Sequence, residues 1–476
     1  MPPDPSLRDP AGCCFDLDDR VLRVIEGGSL WDVESFLQSG SARKFWDAQR
    51  LIPTRALEGA DLALLSEEPV WQRLAAERDI GLVLEHERVA FPSFPYEWPP
   101  EMLWAAGRLT LELAQESLEE DFCLKDATPY NILFRGSKPV FVDLLSFERR
   151  AAGNPIWNAC AQFVRTFLLP LLVNRHWGIP LADVFIAHRD GLEPQTVYRM
   201  CGALQKFRPL FFSFVSLPTW LSPQGRDNLI YRNRILADEE KARFIVKALF
   251  ARLGRALEKL KPAAKKNSAW SGYMESHSYT AENLAAKETF VSQALMDFQP
   301  SRVLDMGANT GHFSLLAAER GAEVVALDSD SACVGALWEQ AFARNLNILP
   351  LTVDLARPTP AIGWRNRECP GFLERAAGQF DAVLMLAVLH HLMVTERIPL
   401  HEILDLAAEL TTELLLIEFV GPQDEMFRRL CRGREELFCG FDSTVFERAC
   451  RQRFEILRKA PLSGTHRRLY LLRKLL

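Results

Sequence analysis

Residues 301–330 read SRVLDMGANTGHFSLLAAERGAEVVALDSD, and no other stretch restricts the fold as much. Val303 and Leu304 end a short apolar run of the kind that makes a buried strand. The next seven residues, Asp305-Met306-Gly307-Ala308-Asn309-Thr310-Gly311, suit a tight loop. An amphipathic helix is expected next, with Phe313, Leu316 and Ala317 on one face and Gly321 as its stop. Residues 324–327 form a second apolar run, closed by Asp328. Strand, glycine loop, helix, then a strand ending in an acid make a βαβ unit. Further strands alternate with helices downstream, which predicts a parallel sheet with helices on both faces.

Each loop residue has a physical job. Gly307 and Gly311 let the backbone turn sharply and approach a ligand closely, because no Cβ stands in the way. Asn309 stands where a third glycine is common, and Asn is the non-glycine residue that best tolerates positive φ. Asp328, at the carboxyl end of a strand, can accept two hydrogen bonds from a ribose diol. A nicotinamide-dinucleotide site is the rival reading. Its G-x-G-x-x-G fingerprint puts the last glycine five residues after the first, whereas Gly311 is four after Gly307. The loop also opens with Asp305, an anion poorly placed beside a pyrophosphate and well suited to an ammonium or sulfonium cation.

These residues resemble motif I and its following acid in the class I S-adenosylmethionine-dependent methyltransferase superfamily. The resemblance implies a Rossmann-like seven-stranded, mostly parallel sheet and S-adenosyl-L-methionine as cofactor. It extends over about 200 residues. Residues 348–353 followed by Asp354 look like the third strand and the acid near the adenine amine. Residues 380–386 look like the fourth strand and 413–419 like the fifth. Residues 454–457 and 468–472 look like the closing antiparallel pair, and 270–290 like the lead-in helix that lids the cofactor in many relatives. The cofactor contacts implied are Asp305, Gly307, Asn309, Gly311, Asp328 and Asp354.

The fourth strand runs into Ala387-Val388-Leu389-His390-His391-Leu392, which puts two histidines at the carboxyl edge of the sheet. Either His390 or His391 can serve as a general base near neutral pH. The bland alternative is one helix cap and one packed ring. The strand ends without an (N/D)PP(Y/F) segment, which argues against amide or adenine nitrogens as acceptors. No Cys follows the strand, so a covalent C5 mechanism is disfavoured. A small-molecule or carrier-linked O- or N-acceptor remains.

A chain of 476 residues exceeds one ordinary core, so two domains are expected. The charged, Pro-containing KPAAKKNS at 261–268 follows a helical pattern of Ile245, Leu249, Leu253 and Leu257, and reads as a linker. The expected division is an accessory domain at 1–262, a linker at 263–270 and a methyltransferase domain at 271–476. The net charge of −6 argues against nucleic acid as partner. Residues 428–476 reverse this locally, with eleven Arg and two Lys against five acidic residues, read as a solvated basic surface. The start MPPDPSLRDP is not a signal peptide pattern, and the longest apolar run, 382–389, is too short to span a bilayer. The ten Cys have no CxxC spacing, so no zinc site and no disulfide framework is expected, and a cytoplasmic location is the default.

In the N-terminal region, LKDATPYNILF at 124–134 and PVFVD at 139–143 follow an amphipathic helix carrying Met102, Ala106, Leu109 and Leu113. Asp126 and Asn131, five apart, and Asp143 at a strand end are similar to the catalytic loop and metal-holding acid of kinase-like phosphotransferases. LVLEHE at 82–87 looks like the hinge strand of such a fold. The departures are marked. Leu124-Lys125 precedes Asp126, and Asp143 is followed by Leu-Leu. Gly27-Gly28 is the only candidate glycine loop, and Lys44 is the sole Lys before Lys125, in a segment that looks helical. Without a phosphate-gripping Lys, ATP affinity should be poor. This region is therefore expected to be α+β and kinase-like, or else a helical recruiting or regulatory domain. A bifunctional enzyme and a silent cofactor-binding scaffold are the alternatives for the whole. The two-part layout, with LKDATPYNILF, PVFVDLLSFE, LDMGANTG and LIEFV, resembles bacterial methyltransferase-like proteins, some labelled nodulation-associated.

Overall fold

Fifteen strands form among the described residues, eight before residue 150 and seven after residue 300. The structure is a computed structural model, describing residues 9–222, 235–263 and 280–475. The chain divides into two units, one of residues 1–96, 102–134 and 139–262, the other of 97–101, 135–138 and 263–476. The expected linker at 263–270 and the start of the lead-in helix at 270–279 lie almost wholly outside the described residues.

In the first unit, β1 (Gly12–Leu17), β2 (Arg20–Glu26), β3 (Thr54–Ala56) and β4 (Ile80–His86) build an antiparallel sheet in the order β1-β2-β4-β3. Cys13, Phe15, Leu22, Val24 and Val83 bury one face of it, at alternate positions along each strand. Gly27 and Gly28 open a 3₁₀ turn leading into a helix (Leu30–Leu37), rather than joining two strands. Lys44 lies on the helix Gly40–Asp47 and pairs with Glu116 at 2.5 Å. The expected amphipathic helix runs Pro100–Ser117, with Met102, Ala106, Leu109 and Leu113 buried. After it come two short two-stranded sheets, β5 (Phe122–Leu124) with β8 (Phe147–Arg149) and β6 (Ile132–Arg135) with β7 (Lys138–Phe141). The rest of the unit is helical and ends in the helix Glu239–Lys259.

In the second unit, β9 (Arg302–Met306), β10 (Glu323–Asp328), β11 (Ile348–Thr352), β12 (Phe380–Met385), β13 (Thr411–Val420), β14 (Phe454–Pro461) and β15 (Arg467–Lys474) form one sheet. The order is β11-β10-β9-β12-β13-β15-β14, parallel from β11 to β13 and antiparallel through β15 and β14. This is the Rossmann-like α/β fold that the sequence implies, in a mixed seven-stranded sheet. Helices cover the sheet, so its central strands are apolar almost throughout rather than alternating. On one face, Val324 and Ala326, Ala382 and Leu384, and Leu414 and Leu416 pack with Phe290, Val291 and Ala294 of the helix Ala281–Phe298. That helix begins where the Thr280 hydroxyl accepts from the Asn283 N–H. The strand reversal between β10 and β12, on either side of β9, opens a crevice at the carboxyl edge of the sheet.

Candidate active site

The loop after β9 is pinned to the end of β10. The N–H groups of Gly307 and Ala308 both donate to the Leu327 carbonyl, at 2.9 and 2.8 Å. The Asn309 N–H donates to Asp328 Oδ2 at 2.8 Å. Three loop residues hold positive φ, namely Gly307 at 80°, Asn309 at 51° and Gly311 at 86°. The Asn309 side chain stabilises its own left-handed conformation by accepting from the Thr310 N–H at 2.7 Å. The two glycines are needed for different reasons. A Cβ on Gly307 would come within 3.1 Å of Val388 at the cleft. One on Gly311 would fall inside the Leu337 side chain, so Gly311 serves the packing of the helix Ser331–Ala343.

A cavity of about 280 Å³ lies over this loop, at the carboxyl edge of the sheet. Gly307, Asn309, Asp328, Asp354, Val388 and His391 line it. Asp305, Gly311 and His390 do not. Asp305 is buried beneath, 3% exposed, and accepts from Ser314 Oγ at 2.6 Å. Burial pushes its carboxyl up to about 6, against the opposing pull of Ser314 and Lys287. The direct cation contact expected of Asp305 is thus replaced by a place under the loop.

Asp328 accepts from two backbone N–H groups, Asn309 on one oxygen and Asp330 on the other, each at 2.8 Å. Burial raises its pKa and those N–H dipoles oppose the rise. No cation pairs with it among the described residues, and each oxygen retains a lone pair for a further donor. Asp354 is turned by the Ala356 N–H at 2.9 Å and pairs with Arg357 at 3.1 Å.

The two histidines part company. His391 lines the cavity, whereas His390 is 1% exposed with neither ring nitrogen hydrogen-bonded. Their ring centroids are 4.3 Å apart. Burial is the main cause that lowers both pKa values, with Arg467 adding to the effect, so both rings are neutral at pH 7. Just before them Ala387 holds φ 60°, a left-handed conformation costly for a residue with a Cβ. His391 opens a π-helical turn, His391–Thr395, a distortion often found at functional sites.

A buried ionic chain next to the histidines escapes sequence reasoning. Lys287 donates to Glu418 at 2.6 Å, and Arg467 lies 3.4 Å from the other Glu418 oxygen. Arg467 also holds Asp424 through Nε at 2.7 Å and Nη2 at 3.1 Å. All four side chains are at most 7% exposed. The one available signal was Glu418, a charge inside the apolar run LLLIEFV.

The acids of the first unit form a different kind of cluster. Asp143 Oδ1 accepts from Arg23 Nη1 at 2.8 Å, and Oδ2 from Ser146 Oγ at 2.5 Å. Asn131 Nδ2 donates to the same Ser146 Oγ at 2.9 Å. Arg23 Nε reaches His86 Nε2 at 3.1 Å, and His86 Nδ1 meets Thr54 Oγ1 at 2.8 Å. Burial and the Arg23 charge hold His86 down to about 3, so its ring is neutral and Nε2 accepts. Asp126 stands half-buried nearby, its pKa raised by burial and by Asp143.

Comparison with known proteins gives the family. A family described as "Methyltransferase domain" matches residues 276–453. The chain is 31% identical over 470 residues to nodulation protein NoeA of Rhizobium meliloti strain 1021, covering 98% of this chain and 94% of that one. Among solved structures, the N-methyltransferase NodS of Bradyrhizobium japonicum WM9 is 14% identical, covering 41% of this chain and 97% of its own, with a TM-score of 0.31. Magnesium protoporphyrin IX methyltransferase ChlM of Synechocystis PCC 6803, with S-adenosylhomocysteine bound, is 19% identical over 49% and 99%, with a TM-score of 0.30. The chain belongs to the family of NoeA, and its C-terminal part is a class I S-adenosylmethionine-dependent methyltransferase.

Proposed function

We propose that this enzyme methylates an oxygen or nitrogen of a small-molecule or carrier-linked acceptor, with His391 as the base. Residues 271–476 form the catalytic domain and 1–262 an accessory domain, joined at 263–270. The single observation behind the site is the cleft in which Asp328, free of any cationic partner among the described residues, faces the same cavity as His391.

The donor set fits a nucleoside. Asp328 has the two oxygens a ribose diol requires, Asp354 offers an acceptor for an exocyclic amine, and Gly307 and Asn309 leave room along the loop. S-adenosylmethionine supplies an activated methyl group on a positive sulfur. The protein's part is to orient the acceptor and take up its proton. His391 is kept neutral by burial and by the Arg467 charge, so it can accept that proton at pH 7 without first losing one. His390 acts from behind, fixing the His391 ring by contact. Asp305, under the loop, acts on the cofactor through the loop it supports.

In the first unit, the Arg23 guanidinium already compensates the charge of Asp143, which supports an accessory role over phosphotransfer. No described helix is long and apolar enough to cross a membrane.

The test is transfer of radiolabelled methyl from S-adenosylmethionine into cell extract. The wild type should label a small or carrier-linked product. His391→Ala should lower the rate about 10²-fold or more, within the usual range for a general base, while S-adenosylhomocysteine affinity stays within about twofold of the wild type. Equal rates for the two proteins would remove His391 from the chemistry.

A further inference from the structure

Within the first unit, helices border a cavity of about 660 Å³. Its walls come from the segment 156–165, from residues 193–195, from 213–218 and from the helix Glu239–Lys259. Two of those walls are π-helical, Val164–Leu168 and Phe212–Ser216. A π turn holds one extra residue, gives up regular packing and often marks a binding site. Here the two turns sit on different helices and line the same space, with Val164 and Arg165 from one and Ser213 and Phe214 from the other.

The first turn is held open by its neighbours. The Arg165 carbonyl accepts from the Leu192 N–H at 3.0 Å. Gly191, at φ 81°, permits this approach, since a Cβ there would collide with that same carbonyl oxygen.

The lining is apolar with a cationic side. Trp157 turns its indole N–H away, to the Leu124 carbonyl at 2.8 Å, which leaves the ring as wall. Val164, Phe214, Leu249 and Leu253 complete the apolar part. Two guanidinium groups border it. Arg165 gives one arm to Glu193 at 2.6 Å, while its buried Nε has no hydrogen-bond partner. Arg252 lies over the Phe214 ring at 5.3 Å, and no carboxylate pairs with it among the described residues. With two guanidinium groups and one carboxylate, the border keeps an excess positive charge beside an apolar chamber of ligand-binding size.

We infer that this cavity binds a free amphipathic organic anion. Its carboxylate, sulfonate or phosphate lies against Arg165 and Arg252, and its alkyl or aryl body lies against Trp157, Phe214 and Leu249. Cations of equal chain length are excluded by charge. The inference stands independently of the methyl-transfer reading.

Calorimetric titration of the full chain with decanoate, below its micelle concentration, tests the site against decyltrimethylammonium and decanol. One decanoate should bind per chain, at least tenfold more tightly than either comparison compound. Arg252→Glu, at an exposed position, should weaken decanoate at least tenfold. Ser213→Trp, which fills the chamber, should abolish binding, with the melting temperature of both variants confirming that they fold. Equal binding of the cation, several equivalents per chain, no binding by the wild type, or undiminished binding to a folded Arg252→Glu would each overturn the site.

Discussion

Asp328 and Asp143 both follow or end a short strand, and both were singled out as ligand-holding acids. Their surroundings make them opposites. Asp328 is satisfied by two backbone N–H dipoles and keeps its charge uncompensated, facing a cavity. Asp143 is neutralised by the Arg23 guanidinium and tied down by Ser146. A carboxylate held by dipoles keeps its net charge for a ligand, whereas one paired with a guanidinium has had that charge compensated. The same residue type at a similar topological position can therefore face a cavity without a counter-charge in one unit and be tied into an ion pair in the other.

This contrast can be broken most sharply by paired substitutions. Asp328→Ala should weaken S-adenosylhomocysteine about 100-fold, since two hydrogen bonds to a charged group are lost at about 1.5–3 kcal/mol each before partial replacement by water. Asp143→Ala should leave that affinity unchanged in the same calorimeter. Equal losses, or none, would erase the distinction.

Asp305 gives the next largest effect. Its pKa is raised by burial from 3.8 to about 6. A carboxyl with a folded pKa above its unfolded one stabilises the fold below pH 4, and that contribution is lost as pH rises through 6. Asp305→Asn should accordingly stabilise the protein by about 2–3 kcal/mol at pH 8, with the gain vanishing near pH 4. Denaturant unfolding across that range measures it, and a variant less stable than wild type at pH 8 would contradict the burial argument.

The glycines sharpen the comparison further. Gly311→Ala meets Leu337 and a positive φ together, so it should cost about 2 kcal/mol. Gly28→Ala, with nothing within 4 Å of the added carbon, should change stability by less than about 0.5 kcal/mol. Melting temperatures distinguish the two. The smallest effect is a null one. Mg-ATP should not shift the wild-type melting curve, because Arg23 stands on the acid a metal would require.

How much of this was legible in the sequence follows from distance along the chain. The glycine loop, the place of Asp328 at a strand end and the succession of strands along the second unit were readable because their meaning is local: turn chemistry, apolar runs and a βαβ spacing. Strand ends moved by a few residues, as with β13, which extends to Thr411 and Val420 beyond the expected 413–419. The separation of His391 from His390 could not be read, since both follow the same strand and only the folded turn after it shows which one faces the cavity. The Lys287–Glu418–Arg467 chain was hidden for another reason. Its members stand 131 and 49 residues apart, and only the closed sheet brings them together. Arg23 was hidden likewise, 120 residues before its partner Asp143.

A crystal structure of the chain with S-adenosylhomocysteine tests the central claim most directly. The account predicts the ribose hydroxyls on Asp328, with the thioether end turned toward His391. Density for the nucleoside at Asp143 instead, or a complex in which Asp328 touches no part of it, would contradict the account.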